Sequence, residues 1–596
     1  MLRSRIEICN GKPFILINDE LHYPLAYTTY FEDCGQFHDF INNGYRMFFI
    51  NVSFTDLPIN NMTGFTPFRT GIFEGDTPDY NEFDSVVKKI VSECPDALIF
   101  PRIHVAMPRK WVAANPYETV ETMNGGNRES LFSDLYRHDG AELLRTLIGH
   151  IRSSSYAHRI AGYHVCGGTT QEWMHHDLFG SFSEMGIEKF RKWMQEKYNR
   201  NDVVITSKED FSVGTCSEKN IYYAEFSNET VAKTAEHFAK VVKECTNNEQ
   251  IVGIFYGYNA FVDNYMFGLH GLRHIINSPY IDFFSSPCCY DATRELGVDW
   301  GDMIPVDSLK ANGKLAFIEC DIRTYLTRQM TDSRPGEYPD NIMKLTDENG
   351  NRTVWKGPET PELSLSAIRK AFAHQITRNS GVWWFDMWGG WYHDDSIMAD
   401  MKKMKHCAEN SIKRNPDEYP HAQTVLFIDE RAYANVPRHV GFEPAVNAIR
   451  VAMGNTGIPF DLCMVEDAPK VIDRYKAAIF TAPMPSEVSE EAMNLCREKN
   501  IPFISSGKEK ISFSTEELRD FLTENSIHCY NDENNVIYAG NGFVGIHSKN
   551  DGETSIKLPG KFTIIPLFGT DIQETETDTI KLSLKKHDTV IFELRK

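Results

Sequence analysis

The first 414 residues carry short apolar runs that alternate with longer amphipathic stretches. Eight runs have the length and composition of buried strands: "PLAYTTY", "RMFFINVSF", "ALIFPRIHV", "IAGYHVCGG", "IVGIFYGY", "IDFFSSP", "KLAFIEC" and "GVWWFDM". Between them lie segments with helical periodicity, such as "EFDSVVKKIVSEC" and "LSAIRKAFAHQIT". This alternation predicts an α/β fold, a (β/α)₈ TIM barrel over residues 1–414 that begins with the β-hairpin "IEICNGKPFILIND". A doubly wound sheet is the alternative.

The pattern changes after residue 414. "TVLFIDE", "AAIFTAP" and "IPFISS" alternate with "EPAVNAIRVAMGNTG" and "SEEAMNLCREKN", which predicts a doubly wound, flavodoxin-like α/β domain over residues 415–521. Because this region has neither a GxGxxG motif nor a Walker loop, a packing or assembly role is favoured over nucleotide binding. Residues 522–596 read as short strands with turn residues and predict a small all-β domain of the sandwich type.

The amino-acid composition limits the classes of molecule that this protein is expected to bind. A chain of 596 residues with 41% hydrophobic residues can bury large cores in two or three domains. Its net charge of −21 disfavours nucleic acids and anionic membranes and favours a neutral ligand. The 13 cysteines are scattered, with Cys288 and Cys289 adjacent, and we expect mostly free thiols.

No run of apolar residues is long enough to span a membrane, and the opening residues lack the apolar segment of an export signal. We therefore expect neither a membrane span nor an export signal. The expected location is the cytoplasm or the periplasm of a bacterium.

Two glutamates stand where a barrel would place catalytic groups, at the C-terminal ends of strands. Glu319 closes "KLAFIEC", and Glu172 follows the strand in "GYHVCGGTTQEW". Either residue alone is equally compatible with a helix cap or a solvated position. Two carboxyls across one pocket are the pair that a retaining glycosidase uses, and we expect them about 5 to 5.5 Å apart.

Aromatic and polar residues near the predicted strand ends suit sugar binding. The segment "WWFDMWGGWY" contains Trp383, Trp384, Trp388 and Trp391, and core packing alone would not account for all four, because a buried indole N–H needs a partner. Each polar candidate is also compatible with a structural ion pair or hydrogen bond. The candidates for substrate binding are Arg102, His104, Gln171, Tyr256, Tyr258, Asp321, Arg323, Trp384, Asp386 and Trp388.

Three motifs resemble clan A glycoside hydrolases, specifically the relatives of family 42 β-galactosidases. They are "GYHVxGGxTxEW", "DSLKxxGKLxxxExDxRT" and "WWFDMxGGWY". The resemblance covers nearly the whole chain and implies Glu172 as acid/base, Glu319 as nucleophile, and a trimer formed through the α/β domain. Gln171 stands where family 42 has Asn, and the family's tryptophan-rich signature is absent from "HYPLAYTTYFEDCG". The chain therefore looks most like glycoside hydrolase family 164, which is associated with β-mannosidases.

These observations predict a retaining exo-β-glycosidase that hydrolyses terminal β-linked hexosides by double displacement, without a metal or organic cofactor. Arg323 is a candidate to steady the charge on Glu319. The preferred substrate is a β-mannoside, and a β-galactoside is the alternative substrate. A catalytically silent carbohydrate-binding protein is a further alternative for the function. A metal-dependent hydrolase is disfavoured because the first strand has no H-x-H and because the adjacent His175 and His176 cannot easily share one ion.

Overall fold

The structure, a computed structural model, describes residues 1–205, 217–261, 265–288, 290, 294–339, 342–435 and 442–596. Cys289, which the sequence places beside Cys288, lies outside the described residues. Among the described helices, none is long and apolar enough to cross a membrane.

The first part of the chain forms a closed barrel of eight parallel strands. Among its described residues, this part of the chain contains, in addition to the barrel strands, two small antiparallel sheets. All of these strands in chain order are β1 (Ser4–Cys9), β2 (Lys12–Ile17), β3 (Glu20–His22), β4 (Leu25–Thr28), β5 (Met47–Ser53), β6 (Leu98–His104), β7 (Thr119–Glu121), β8 (Asn127–Glu129), β9 (Gly162–Cys166), β10 (Ile251–Phe255), β11 (Phe283–Pro287), β12 (Leu315–Cys320) and β13 (Gly381–Phe385). The barrel order is β4-β5-β6-β9-β10-β11-β12-β13, while β1–β3 form an antiparallel sheet and β7 pairs with β8. Each predicted strand contains one barrel strand, so the TIM barrel is confirmed and the doubly wound alternative for this part is wrong.

Helices connect the strands. They are α1 (Phe37–Asn42), α2 (Asn81–Glu93), α3 (Arg109–Ala114), α4 (Asp134–Ser153), α5 (Glu184–Tyr198), α6 (Glu218–Cys245), α7 (Val306–Ala311), α8 (Met330–Ser333), α9 (Pro361–Arg378) and α10 (Asp395–Ser411). The start of α9 shows why a helix forms here: the Thr360 side chain accepts from the Leu363 N–H, and Pro361 occupies the first turn. The helix ends at Asn379, which adopts φ 55°.

The barrel interior is packed with aromatic rings. The ring centre of Phe49 lies 4.9 Å from that of Phe100, 5.3 Å from Phe317 and 4.8 Å from Trp383. Side chains two positions apart on a strand share a face. The residues two steps after Phe100 and Phe317 are Arg102 and Glu319, so this alternation brings a cation and a carboxyl to the C-terminal end of the barrel, above the aromatic core.

The second part is a four-stranded parallel sheet with helices. Its strands are β14 (Thr424–Ile428), β15 (Phe460–Met464), β16 (Ala477–Phe480) and β17 (Phe503–Ser505), and its helices are α11 (Ala448–Gly454), α12 (Ala468–Val471), α13 (Glu487–Glu498) and α14 (Thr515–Glu524). The order β15-β14-β16-β17 is that of a flavodoxin-like sheet. The sequence pattern misses β15 because Asp461 interrupts its apolar run, and α14 continues past the predicted boundary at residue 521.

The C-terminal part is all-β, as predicted. Its strands are β18 (Val536–Gly540), β19 (Phe543–His547), β20 (Gly552–Phe568), β21 (Thr575–Leu584) and β22 (Thr589–Arg595). They form one antiparallel sheet in the order β18-β19-β22-β20-β21 instead of the two sheets of a sandwich. Register shifts in β20, which bend a strand, accompany this arrangement, and all five strands contribute to one apolar cluster.

Candidate active site

Glu172 lies on a tightly wound turn after β9. Gly168, Thr170 and Gln171 adopt left-handed backbone conformations with φ of 65°, 58° and 71°. Gly168 is required in this turn because a Cβ there would meet the Met174 carbonyl oxygen at 2.3 Å. Left-handed conformations in residues other than glycine cost energy and are concentrated at functional sites. The fold therefore holds the turn in a conformation that its residues would not choose alone.

Neighbouring strands and loops fix this turn. The Trp173 N–H donates to the Gly167 carbonyl at 2.7 Å, and the Asn61 N–H donates to the Thr169 hydroxyl at 3.1 Å. The Nε2–H of His104 donates to the Gly168 carbonyl at 3.2 Å. Burial lowers the pKa of His104 to about 3, so its ring is neutral. His104, a predicted substrate-binding residue, supports the turn from below.

The hydrogen bonds of Glu172 suit a protonated carboxyl. The Tyr258 hydroxyl donates to its Oε1 at 2.6 Å, and the Thr170 hydroxyl contacts its Oε2. The same Thr170 hydroxyl donates to the Thr169 carbonyl at 2.6 Å. Because a hydroxyl carries one hydrogen, the Thr170–Glu172 contact is satisfied when Glu172 supplies the proton. Burial raises the pKa of Glu172 to about 7.

Glu319 is the fifth residue of β12, and it is 2% exposed. Its Oε2 has no hydrogen-bond partner among the described residues. Burial and then the charge of Asp321 raise its pKa well above the ordinary value, Arg102 acts in the opposite direction, and Glu172 raises it further. The two glutamates therefore lie within electrostatic range of each other.

Arg102 provides a buried positive charge beside this pair. Its guanidinium carbon lies over four rings, at 5.3 Å from the centre of Tyr30, 5.1 Å from Phe255, 4.9 Å from Trp383 and 5.4 Å from Phe385. None of its three side-chain nitrogens has a hydrogen-bond partner within the described part of the chain. It is the strongest influence favouring the charged form of Glu319.

Gln171, the residue before Glu172, is fully buried, and neither its Oε1 nor its Nε2 has a hydrogen-bond partner among the described residues. A buried amide without partners is costly in a protein interior. Its side chain is therefore available to bind a polar ligand.

Asp321 and Arg323 form a cluster two to four positions after Glu319. Asp321 accepts hydrogen bonds from Arg323 Nη1 at 2.7 Å and the Tyr290 hydroxyl at 2.8 Å, and it also pairs with Arg294. The described ion pair of Arg323 is therefore with Asp321, and the cation that most favours the charged form of Glu319 is Arg102.

Two predicted binding residues point away from the barrel interior. Trp384 pairs in register with Cys320, whereas Trp383 pairs with Glu319, so the two tryptophans lie on opposite faces of the sheet. The Trp384 indole N–H donates to the Tyr45 hydroxyl at 3.1 Å on the helix-covered side. The Tyr256 hydroxyl donates to the Gly268 carbonyl at 2.8 Å and accepts from the Gly271 N–H at 2.9 Å.

Asp386 and Trp388 shape the turn that follows β13. Asp386 accepts from the backbone N–H groups of Gly390 at 3.0 Å and Trp391 at 3.1 Å, and burial raises its pKa to about 7. The Trp388 indole donates to the Arg328 carbonyl at 3.0 Å. Both side chains therefore order the protein at the rim.

Sequence reasoning does not single out Tyr30, Tyr290, Arg294 or Trp355, all of which come from loops. Trp383 lies on the same face of the sheet as Glu319, and this can be seen only from the register of β13 against β12. In the described ranges, no group of three or more His, Cys, Asp or Glu residues could hold a metal ion.

Comparison with known proteins identifies the fold. No protein-family model matches the sequence, and no curated protein is significantly similar to it. Among solved structures, a family 42 β-galactosidase from G. stearothermophilus superposes with a TM-score of 0.62 at 11% identity, covering 100% of both chains. A β-galactosidase from the psychrophilic Marinomonas ef1 superposes with a TM-score of 0.61 at 10% identity, covering 96% of this chain and 100% of its own.

A third neighbour is an apo family 42 exo-carrageenase from Bacteroides ovatus, with a TM-score of 0.59 at 12% identity, covering 100% of this chain and 86% of its own. At such identities the likeness concerns the fold. This protein thus has the overall architecture of the family 42 β-galactosidases, a closed TIM barrel followed by an α/β part and an all-β part.

Proposed function

We propose that this protein is a retaining β-glycosidase in which Glu319 is the nucleophile and Glu172 the acid/base. The observation that carries the proposal is the pair of buried carboxyls at the C-terminal end of the barrel. Glu172 has hydrogen bonds that accommodate a proton, and Glu319 has an oxygen without a partner among the described residues. The sequence resemblance supports the same residue assignment, and the structural neighbours described as β-galactosidases support the class of reaction.

In the first step, a Glu319 oxygen attacks the anomeric carbon while the bond to the leaving oxygen breaks and Glu172 gives its proton to that oxygen. In the second step, Glu172 takes a proton from water, the water oxygen attacks the anomeric carbon, and the bond to Glu319 breaks. The two inversions give net retention. Arg102 favours the charged form of Glu319, and a sugar hydroxyl that donates to the unpartnered Oε2 would favour it further.

The sugar is proposed to be a β-galactoside first and a β-mannoside second. This order reverses the preference drawn from the sequence, because two of the structural neighbours reported above are described as β-galactosidases. Gln171 has both amide atoms available and is the residue we propose to contact the 2-hydroxyl. The buried amide supports such a contact for either epimer, so substrate kinetics must decide between them.

We also propose exo action and assembly into a homotrimer through the part that contains β14–β17. The segment after β12 and the one after β6 are long enough to close the pocket around one sugar. Light scattering should give a mass about three times that of the 68.3 kDa chain. A single-chain mass at micromolar concentration would contradict the trimer.

The catalytic assignment is tested by trapping the glycosyl enzyme. The protein is incubated with 2-deoxy-2-fluoro-β-galactosyl and 2-deoxy-2-fluoro-β-mannosyl fluorides, and intact mass and peptide mapping locate the label. We expect one label, on Glu319, and NMR of a normal substrate should show the β-anomer as first product. A label on another residue, or an α-anomer as first product, would refute the mechanism. Sugar binding without turnover would favour the carbohydrate-binding alternative.

A further inference from the structure

Arg323 presents an unused hydrogen-bonding edge inside the protein. The residue is 4% exposed, and its Nη1 donates to Oδ2 and to the carbonyl of Asp321, both at 2.7 Å. Its Nε and Nη2 have no hydrogen-bond partner among the described residues. In a guanidinium, Nε–H and Nη2–H point the same way and form the two-pronged edge that binds a carboxylate or sulfate.

Arg323 shares its ion-pair partner with a second cation. Asp321 is one carboxylate shared by two guanidinium groups, those of Arg294 and Arg323. Glu319 and Glu172 also lie within range of the charge of Asp321, and Arg102 favours the charged form of Glu319. A buried cation that is not fully compensated is costly, and such a charge is stabilised by a negative partner.

The unpartnered atoms of Arg323 and of the neighbouring Trp391 are donors. The indole Nε1 of the fully buried Trp391 is also without a hydrogen-bond partner in the described ranges, and its ring centre lies 5.4 Å from the Arg323 guanidinium carbon. A sugar hydroxyl both donates and accepts, whereas a carboxylate or sulfate oxygen only accepts. The three unpartnered donor atoms of Arg323 and Trp391 therefore fit an anionic group better than a hydroxyl.

Partly exposed aromatic rings lie beside the unused edge of Arg323, which is therefore close to the protein surface. The Arg323 guanidinium carbon lies 4.8 Å from the ring centre of Trp355 and 5.6 Å from that of Tyr290. Both rings are partly exposed, so Arg323 lies one layer of side chains below the surface. Asp321 connects it to the reacting centre, because the charge of Asp321 acts directly on Glu319.

We propose that Arg323 binds an anionic substituent, a carboxylate or a sulfate ester, on the sugar that Glu319 attacks, so that the preferred substrates are acidic hexosides. This inference rests on the proposed glycosidase function. It modifies the expectation of a neutral ligand drawn from the net charge, since exposed charges are screened beyond about 10 Å in 0.1 M salt, whereas buried groups in contact with a ligand are screened much less.

The first experiment compares substrates on the wild-type protein. The set contains neutral 4-nitrophenyl β-galactoside and β-mannoside, the two corresponding uronides, and galactosides with a single sulfate at O2, O3, O4 or O6. We expect at least one acidic member to exceed its neutral parent at least tenfold in kcat/KM. The uronides and the sulfates separate a carboxylate from a sulfate as the recognised group.

Variants then assign the preference to Arg323. Arg323→Gln should abolish the advantage of the acidic substrate, and Arg323→Lys, which keeps the charge but loses the two-pronged edge, should reduce it by about tenfold. Arg334→Gln is the matched control. Arg334 is also 4% exposed and lies over an aromatic ring, but it is hydrogen-bonded to Asp33 and the Pro67 carbonyl. This control should keep the wild-type preference.

A neutral parent that equals or exceeds all of its acidic derivatives would overturn the inference, as would an acidic preference that survives in Arg323→Gln. If no glycoside is hydrolysed, the proposed function fails, and binding decides the inference separately. Calorimetry with galactose, galacturonate, the four galactose sulfates and inorganic sulfate should then show at least tenfold tighter binding of an acidic sugar than of galactose, lost in Arg323→Gln. Equal binding of the acidic sugars and galactose, or binding of inorganic sulfate alone, would refute it.

Discussion

Two clusters of buried charged residues differ in how completely their groups are paired. At the C-terminal end of the barrel, Arg102, Gln171, Glu319 and Arg323 all have side-chain atoms without hydrogen-bond partners among the described residues. The pKa values of Glu172 and Glu319 are both raised there, chiefly by burial.

The second cluster lies around α9, and its charged side chains are in ion pairs. His374 Nε2 lies 3.0 Å from Asp302 Oδ2, and Arg378 Nη1 lies 3.0 Å from Asp307 Oδ2. The Tyr538 hydroxyl of β18 donates to Asp299 at 2.9 Å. Although burial alone would lower it, the nearby carboxylates raise the pKa of His374 to about 9. The charged groups around α9 thus have ion-pair partners, whereas the Arg102 nitrogens and Glu319 Oε2 have no hydrogen-bond partner among the described residues.

The largest expected effect is on catalysis. Glu319→Ala should reduce kcat by at least about 10⁴-fold for every substrate, because no nucleophile remains. Glu172→Ala should cost much less with a dinitrophenyl leaving group than with an alkyl one, because an activated phenol needs little protonation. Kinetics with both leaving groups, on variants shown by circular dichroism to be folded, measure the difference. Equal losses for both leaving groups in both variants would refute the assigned roles.

Breaking the paired cluster should affect stability instead. Asp302 contacts both His374 and Gln375, so the substitution Asp302→Ala removes one hydrogen bond from each of them. Removal of one member of a buried ion pair costs about 3 to 5 kcal/mol in the free energy of unfolding. Urea unfolding should show this loss, while kcat/KM at 25 °C stays within about twofold of wild type. A stable but inactive Asp302→Ala protein would contradict the distinction between the clusters.

The two clusters should also respond differently to pH. Activity should fall as pH rises through about 7, because Glu172 then loses the proton that it donates. Stability from His374 is fully present below its unfolded pKa of 6.5 and is lost as pH rises through its folded pKa of about 9. Integrated over this window, the loss is of the order of 3 kcal/mol.

The controls separate these pH effects. His374→Gln should remove the alkaline decline in the urea midpoint and leave the activity profile unchanged. The alkaline limb of kcat/KM should be absent in Glu172→Gln when an activated leaving group is used. Since burial also raises the pKa of Asp386 to about 7, an alkaline limb that persists in Glu172→Gln would assign it to Asp386 instead.

The smallest effect separates two adjacent tryptophans. Trp384→Phe should lower stability by about 1 kcal/mol, through loss of the hydrogen bond to Tyr45, and leave kcat/KM nearly unchanged. Trp383→Phe removes the ring closest to Arg102 and should lower kcat/KM several-fold. Parallel kinetics and urea unfolding of the two variants test this. The reverse result would mean that the face assigned to each ring is wrong.

The amino-acid sequence by itself is sufficient to predict the barrel strands, because buried parallel strands appear in the sequence as continuous apolar runs. It also indicated Glu172 and Glu319 as candidates, because each follows or ends such a run. It missed β15, where Asp461 interrupts the run and pairs with the Tyr475 hydroxyl at 2.7 Å, a contact made only in the folded protein.

Only the tertiary structure decided which side chains meet. The repeat "WW" contains one ring on each face of the sheet, and the face depends on the register of β13 against β12. Closure of the barrel brings Arg102 near Glu319 across more than 200 positions of sequence, and leaves Arg323 with Asp321. Local periodicity describes how one segment is buried, whereas the pairing of charges depends on contacts between segments that are distant in the chain.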